Sequence, residues 1–227
     1  MPEQARPERE TQNRIIDLFT NTSRPDCLGY EYLGEWQKRE NNSCIEKDLL
    51  KKNLKRRGFS DLAISASIQK LLLVADVTGT TLYQSNLHVY QYLRYGISVQ
   101  TTVGKKNEQV HLIDWQNPEK NDFALAEEVT LRGGYERRPD IVLYLNGIAV
   151  SVIELKRSSV EVADGIRQLR TNQEKIFNES FFSTVQLLFA GNDSQGLHYG
   201  TVTTEEKFFV KWKSSNSDPE TIGSLLD

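Results

Sequence analysis

The sequence predicts a mixed α/β domain of the α+β kind, in which an N-terminal helical part precedes a central mixed sheet flanked by helices. Before Gly96, apolar residues recur at the three- and four-residue spacing of helices, whereas after it they form short alternating or continuous runs typical of strands. Hydrophobic residues make up 38% of the 227-residue chain, which is enough for the core of one large domain. Helices that lead and strands that follow are typical of this architecture.

The N-terminal part contains four segments with helical patterns. Gly58 and Gly96 follow the second and the fourth of them as stop signals, and Ser60 is placed to cap the third. Between the first two, the Gly- and aromatic-rich segment 24–36 predicts an irregular packed region or a short strand. The predicted helices cover residues 10–19, 45–54, 60–72 and 87–95.

After Gly96 the pattern predicts a mostly antiparallel sheet and one further helix. Asn146-Gly147, between two apolar runs, is a strong signal for a β-hairpin, and the turn-rich segment 104–109 predicts another. The predicted strands cover 97–103, 110–115, 123–131, 140–145, 148–155, 185–190 and 208–212, and the helix covers 161–178.

The charge balance limits the classes of function. The chain has 28 Lys and Arg against 31 Asp and Glu, which gives a net charge of −3. This acidity argues against a protein that coats nucleic acid through bulk charge, but it leaves room for an enzyme with local contacts. The composition also excludes a disordered tail, a collagen-like repeat and a disulfide scaffold.

The ends and the cysteines predict a cytoplasmic protein without a membrane segment. The first ten residues are charged and lack the apolar core of a signal peptide, and no apolar run approaches the roughly 20 residues of a membrane span. Cys27 and Cys44 fit no metal-binding spacing. Two free thiols are expected, with a single disulfide as the alternative.

The most informative residues are Asp140, which follows Pro139, and the pair Glu154 and Lys156 in an otherwise apolar run. Residues two apart on a strand project from the same face, so Glu154 and Lys156 lie together. They form either a solvent-exposed ion pair or, with Asp140, a Mg²⁺ site in which Lys156 orients or activates a hydrolytic water. The second interpretation is the logic of PD-(D/E)xK nucleases.

Hairpin register tests this interpretation. A two-residue Asn146-Gly147 turn would pair Asp140 with Ile153 and place Asp140 and Glu154 on opposite faces. A three-residue loop would pair Asp140 directly with Glu154. The metal site therefore requires a three-residue loop or a bulge near Asp140, and a plain two-residue hairpin would contradict it.

Residues 138–159, RPDIVLYLNGIAVSVIELKRSS, resemble the nuclease signature of the restriction (R) subunit of type I restriction-modification enzymes. Further blocks resemble the same N-terminal nuclease domain in the same order, so the resemblance covers roughly residues 10–215. These blocks are residues 28–36, 83–99, 111–130 and 181–201.

The resemblance implies a restriction-endonuclease-like PD-(D/E)xK core and Mg²⁺-dependent cleavage of double-stranded DNA. It makes Asp140 and Glu154 metal ligands and Lys156 the catalytic lysine. Many relatives add an acidic residue from an early helix, for which Glu46 is the candidate, with an exposed helix-start glutamate as the alternative. Relatives also carry a glutamine followed four positions later by a tyrosine. Gln168 fits as a further catalytic residue, but the position four residues on is Asn172.

The resemblance also implies an organisation and partners. Residues 1–9 form a flexible N-terminus, 10–215 the nuclease domain with a catalytic core at about 97–212, and 216–227 a tail leading to an ATP-dependent translocase that is absent from this chain. ATP would therefore act only in a full-length subunit, and Gly191 to Gly196 do not form a phosphate-binding loop. The implied partners are double-stranded DNA and the methylation and specificity subunits.

The predicted helix after the site offers DNA contacts through Arg167, Arg170 and Lys175, with a solvated polar face as the alternative. Two other functions compete with the nuclease. One is a non-catalytic DNA-binding or subunit-docking module on the same fold. The other is a stand-alone repair nuclease, which the similar blocks outside the motif disfavour.

Overall fold

The computed structural model describes residues 8–101, 104 and 106–213. These residues form helices on both faces of a mixed sheet and a separate two-stranded ribbon. The helices are α1 (Glu8–Thr20), α2 (Lys47–Arg56), α3 (Asp61–Ala75), α4 (Leu82–Tyr95) and α5 (Val162–Asn172). The strands are β1 (Glu31–Glu35), β2 (Ile97–Val99), β3 (Glu108–Val110), β4 (Phe123–Glu127), β5 (Ile141–Leu145), β6 (Ile148–Leu155), β7 (Leu187–Asn192), β8 (Gly196–Gly200) and β9 (Val210–Lys211).

The helix boundaries follow the signals in the sequence. The Ser60 hydroxyl accepts a hydrogen bond from the amide of Ala63 at 3.2 Å, which confirms it as the cap of α3. Thr81 and Gln84 form a reciprocal capping box at the start of α4. Gly96 ends α4 with a φ of +78°, and a Cβ there would lie 2.8 Å from the carbonyl oxygen of Val110.

The sheet has seven strands in the order β1-β4-β5-β6-β7-β8-β9. β1 pairs with β4 and β6 pairs with β7 in parallel, whereas the other neighbours are antiparallel, so the predicted central mixed sheet is confirmed. The parallel β6–β7 pair needs a crossover connection, and α5 supplies it. β2 and β3 form the separate antiparallel ribbon.

Two expectations for secondary structure were wrong, and one strand was not predicted. The strand predicted at 110–115 ends at Val110, because the Asp114 carboxylate accepts hydrogen bonds from the amides of Gln116 and Asn117 and bends the chain. The helix predicted at 161–178 ends at Asn172 and continues as turns. β8 was not predicted, because two of its five residues are glycines, and Gly191 to Gly196 include the turn that joins it to β7.

Alternating side chains of the strands separate two layers of core. Val142, Tyr144 and Val152 pack under α5 with Leu169, in a cluster that also includes Trp36. The other face buries a smaller cluster under α1: Ile15, Leu125, Ile141, Leu143, Ile153 and Leu155. α2, α3 and α4 enclose a third cluster with β2 and β3. The face that carries Val142 and Val152 is also the face that receives Glu154, two positions further along β6.

The ends of the chain and the cysteines complete the comparison with the sequence. The flexible N-terminus predicted for residues 1–9 is wrong for Glu8 and Arg9, which form the start of α1. Residues 1–7 lie outside the described residues, as do 214–227. Cys27 and Cys44 are free, as expected. Among the described residues, no helix combines the length and apolar character needed to cross a membrane.

Candidate active site

The β5–β6 hairpin combines a two-residue turn with a bulge. Leu145 pairs with Ile148 across Asn146 and Gly147, whose φ values of +54° and +83° suit a type I′ turn. Tyr144 then pairs with Ala149, but Leu143 pairs with Ser151, so Val150 is an extra residue on β6.

The bulge sets the register at the far end of the hairpin. Beyond Val150 the ladder continues to the pair Ile141–Ile153, and the next opposed residues are Asp140 and Glu154. The metal-site interpretation required a three-residue loop or a bulge near Asp140. The structure has a bulge, but this bulge lies close to the turn rather than near Asp140. Asp140 and Glu154 share one face because of a single inserted residue.

Asp140 and Glu154 are buried and held by different contacts. Asp140 Oδ2 accepts a hydrogen bond from the Leu155 amide at 2.6 Å. Glu154 Oε1 accepts one from Lys156 Nζ, also at 2.6 Å. Glu154 is only 1% exposed, so the alternative of a solvent-exposed pair is wrong. Its second oxygen, Oε2, is buried and has no hydrogen-bond partner among the described residues.

The pKa values of the two carboxyl groups are raised. Burial is the largest cause for both, because it penalises the charged form, and the charge of Asp140 raises the pKa of Glu154 further. The Leu155 amide and the Lys156 ammonium oppose the shift at Asp140 without cancelling it. Burial alone would lower the pKa of Lys156, but the charge and hydrogen bond of Glu154 outweigh it, so that pKa is raised and Lys156 stays charged.

α5 completes the site from above the sheet. Lys156 Nζ donates a second hydrogen bond, to Gln168 Oε1 at 2.9 Å, so the structure brings Gln168 to the cluster. The helix comes this close because Gly165 faces the strands. A Cβ on Gly165 would lie 3.3 Å from Ala190 Cβ, 3.5 Å from Lys156 Cγ and 3.7 Å from Glu154 Cγ.

Glu46 is not part of the cluster. Its amide donates to the carbonyl of Gly147 at the turn end of the hairpin. Six residues of β6 separate that end from Glu154, a distance of about 20 Å at the rise of a strand. Its carboxylate instead pairs with Arg39 at 2.6 Å and accepts from the amide of Ser43. Glu46 therefore holds a loop and precedes α2, and the expected metal-ligand role is wrong.

The early-helix acid nearest the site is Glu8, which the sequence reasoning missed. Its charge contributes to the raised pKa of both Asp140 and Glu154. α1 is fixed beside the site by Gln12, whose Nε2 donates to Glu127 Oε2, to Glu128 Oε1 and to the Asp140 carbonyl at 3.0–3.3 Å. The sequence does show an acidic first turn in an amphipathic helix, with Glu8 and Glu10. That pattern does not indicate which strands the helix packs against.

The basic residues predicted to contact DNA differ in environment. Arg167 is held in ion pairs with Asp164 at 2.5 Å and Glu206 at 2.9 Å. Arg170 is exposed and lines the same cleft as Arg167, beside the start of α4. Lys175 is exposed but lies beyond the end of α5, not on the helix as expected.

Asn172, at the position where relatives carry tyrosine, is fully buried. Neither atom of its side-chain amide has a hydrogen-bond partner in the described part of the chain. The residue is therefore part of the helix packing and does not reach the Lys156–Gln168 pair through any described contact.

The arrangement is suited to a divalent cation. Mg²⁺ prefers carboxylate oxygens and keeps several waters, and the unpartnered Glu154 Oε2 and the raised carboxyl pKa values mark a position where positive charge is missing. Within the described residues, no three His, Cys, Asp or Glu side chains are grouped closely enough to hold a metal by themselves. Asp140 and Glu154 thus offer a two-carboxylate site completed by water or substrate.

Comparison with known proteins identifies the family of the chain. A family model described as the type I restriction enzyme R protein N terminus matches residues 6–207. The chain belongs to this family. Asp140, Glu154, Lys156 and Gln168 all lie inside the matched region.

Individual relatives carry names of the same kind. A protein of Methanocaldococcus jannaschii, provisionally named the endonuclease subunit of the type I restriction enzyme MjaIXP, is 32% identical over 123 residues, which are 51% of this chain and 11% of the relative. The HindI endonuclease subunit of Haemophilus influenzae is 27% identical over 135 residues, 56% of this chain and 12% of the relative. The EcoprrI endonuclease subunit of Escherichia coli is 25% identical over 126 residues, which are 53% of this chain and 40% of the relative. The chain spans about a tenth of the length of the first two.

Proposed function

We propose that this R protein N-terminal domain is a Mg²⁺-dependent endonuclease that hydrolyses phosphodiester bonds of double-stranded DNA. The observation that carries the proposal is the bulged register, which sets Asp140 opposite Glu154 and beside Lys156 in a buried cluster. Burial of three ionisable groups costs stability unless they are paired or used, and here one carboxylate oxygen is neither.

Asp140 and Glu154 would hold the metal ion, with Glu8 close enough to add its charge. When bound, Mg²⁺ supplies Lewis-acid stabilisation of the charge that develops on the phosphate. The Leu155 amide fixes the Asp140 carboxylate in place, at 2.6 Å. The backbone of Glu154 is held in register because β6 pairs with β5 on one side, through the bulge, and with β7 on the other.

Lys156 has a charged role. Its ammonium is held between Glu154 and Gln168, at 2.6 and 2.9 Å, and its side chain is only 14% exposed. Because its pKa is raised, the group carries its proton at neutral pH and orients the attacking water or stabilises the charged phosphate. Gln168 restricts the rotamers of Lys156 and so acts as a positioning residue.

The names of the relatives support the proposal that the domain acts within a restriction complex. Relatives much longer than this chain are named type I restriction endonuclease subunits. We infer that the domain works with an ATP-driven translocase and with methylation and specificity subunits, on foreign DNA in the cytoplasm. A non-catalytic docking module is less well supported, because such a module would gain nothing from burying Glu154 Oε2 without a hydrogen-bond partner among the described residues.

The test combines cleavage with metal binding. In the complete restriction complex, Asp140→Ala, Glu154→Ala and Lys156→Ala should each abolish cleavage of plasmid DNA while ATP hydrolysis continues. Glu46→Ala is the matched control, since Glu46 lies at the other end of the hairpin. Cleavage at the wild-type rate by Glu154→Ala would remove that residue from the mechanism. Titration calorimetry of this chain with Mn²⁺ should show binding that Asp140→Ala loses.

A further inference from the structure

The ladder between β4 and β5 continues beyond the catalytic end of the sheet. The amides of Glu128 and Val129 donate to the carbonyls of Asp140 and Pro139, and Leu131 forms a further antiparallel bridge with Arg137. Residues 131–137 close this extension as a hairpin, which we call the finger. Its last residue lies only three positions before Asp140.

The finger is clamped to the body of the domain through its backbone. Buried Asn178 accepts a hydrogen bond from the Gly133 amide at 2.7 Å and donates one to the Tyr135 carbonyl at 3.0 Å. The Tyr135 amide donates to the carbonyl of Ile176. A Cβ on Gly134 would lie 2.2 Å from the Phe177 carbonyl oxygen, so only glycine allows this approach. The tip is therefore held in one shape.

The side chains at the tip face solvent in spite of this rigid backbone. Tyr135 is 70% exposed, although its ring lies near that of Phe177. The Arg137 guanidinium stacks 3.8 Å from the centroid of the Phe177 ring. Arg132 is exposed and has only a loose ion pair with Glu136, at 3.4 Å. The finger carries two arginines and one glutamate, and Arg138, which follows it, is paired with Glu128 at 2.7 Å. The finger is therefore weakly basic in a chain whose net charge is negative.

We propose that the finger binds the DNA duplex next to the cut site, with Arg132 and Arg137 on backbone phosphates and Tyr135 against a sugar or base edge. This inference rests on the proposed nuclease function and adds a binding element to it. A strand rises about 3.3 Å per residue, so Arg137 and Tyr135 lie at most roughly 10 and 17 Å along the chain from Asp140, the span of a few nucleotides. A preformed arginine-rich ribbon suits such contacts because little ordering entropy is lost on binding.

The test measures duplex binding by this chain. Anisotropy of a labelled 30-base-pair duplex is followed at several salt concentrations, in Ca²⁺ and separately in EDTA. Arg132→Ala combined with Tyr135→Ala should weaken binding about tenfold or more and lower the slope of log affinity against log salt by roughly 0.9, the loss expected for one phosphate contact. Arg56→Ala combined with Tyr95→Ala removes the same residue types from α2 and α4 and should bind as the wild type does.

The outcomes separate the finger from the metal site. Equal affinity and equal salt slope in the finger variant and the wild type would overturn the inference, as would a wild-type chain that does not bind the duplex at the lowest salt. Mn²⁺ binding should be unchanged in the finger variant, because Arg132 and Tyr135 touch no site residue. Another outcome is that the wild type fails to bind Mn²⁺ while the finger variant binds the duplex more weakly than the wild type does. In that case the nuclease proposal is wrong, and the finger remains a DNA-binding element.

Discussion

Asp140→Asn should stabilise the metal-free domain at neutral and alkaline pH. Burial raises the pKa of Asp140 from 3.8 to about 7. A carboxyl whose pKa is raised by folding binds its proton more tightly in the folded state, so the wild type loses stability as pH rises from about 4 to about 7. Asparagine has no proton to lose, and its amide oxygen keeps an acceptor for the Leu155 amide.

The magnitude follows from the shift. About three pKa units, at 1.36 kcal/mol each, set an upper limit of about 4 kcal/mol. Asp140 and Glu154 ionise beside each other and share this cost, so we expect about half, roughly 2 kcal/mol. For a domain of this size that is an increase in Tm of about 4–8 °C at pH 8, shrinking towards zero at pH 4.

The assay is thermal and urea unfolding of the two proteins in EDTA between pH 4 and pH 9. Asp76→Asn is the control: its carboxylate accepts from the Thr78 amide at 2.8 Å, its pKa is lowered, and its loss should not stabilise the domain at any pH. Mn²⁺ should then raise the Tm of the wild type and leave that of Asp140→Asn nearly unchanged. An Asp140→Asn protein no more stable than the wild type at pH 8 would refute the account of the buried carboxyl pair.

Three further outcomes are expected. Lys156→Met should cost stability, by about 3 kcal/mol in urea unfolding at pH 8, because Glu154 then stays buried without its ion-pair and hydrogen-bond partner; unchanged stability would mean that this pair does not stabilise the fold. Gly147→Ala should destabilise the domain by about 2 kcal/mol or more, since φ is +83° and a Cβ would lie 2.7 Å from the Glu46 carbonyl oxygen; Gly79→Ala, with open space around it, should cost less. Gly165→Val should push α5 from the strands and lower cleavage in the complete complex, whereas Thr171→Val on the same helix should not.

Local signals in the sequence predicted the elements whose ends are marked by capping or turn residues. Ser60 and Gly96 define helix ends through their own side chain or backbone, so neighbouring residues suffice to recognise them. Asn146-Gly147 predicted the hairpin for the same reason, and the Asp140, Glu154 and Lys156 spacing predicted the cluster. These features depend on contacts between residues close in the sequence.

Features that depend on distant contacts were not predictable. The bulge at Val150 lies in a continuous apolar run. Because polar and apolar residues do not alternate there, an extra residue leaves no trace in the sequence pattern. Choosing between Glu46 and Glu8 required knowing which helix lies against Asp140, because both are acidic residues at the start of a helix: Glu8 begins α1 and Glu46 precedes α2. The end of α5 at Asn172 is a third case, because no glycine or proline marks it.

α1 has a consequence for synthesis of the chain on the ribosome. Its clamps, the Gln12 contacts with Glu127 and Asp140 and the Thr11 hydroxyl bond to Asp193, join residues 115 to 182 positions apart. α1 therefore docks only after Glu127, Asp140 and Asp193 have been made, whereas Asp140, Glu154, Lys156 and Gln168 are close together in the sequence. A nascent chain stopped before Asp193 would carry Asp140, Glu154, Lys156 and Gln168 without the Thr11 contact that helps to anchor α1. Late docking of α1 thus ties the final surroundings of Asp140 to completion of the fold.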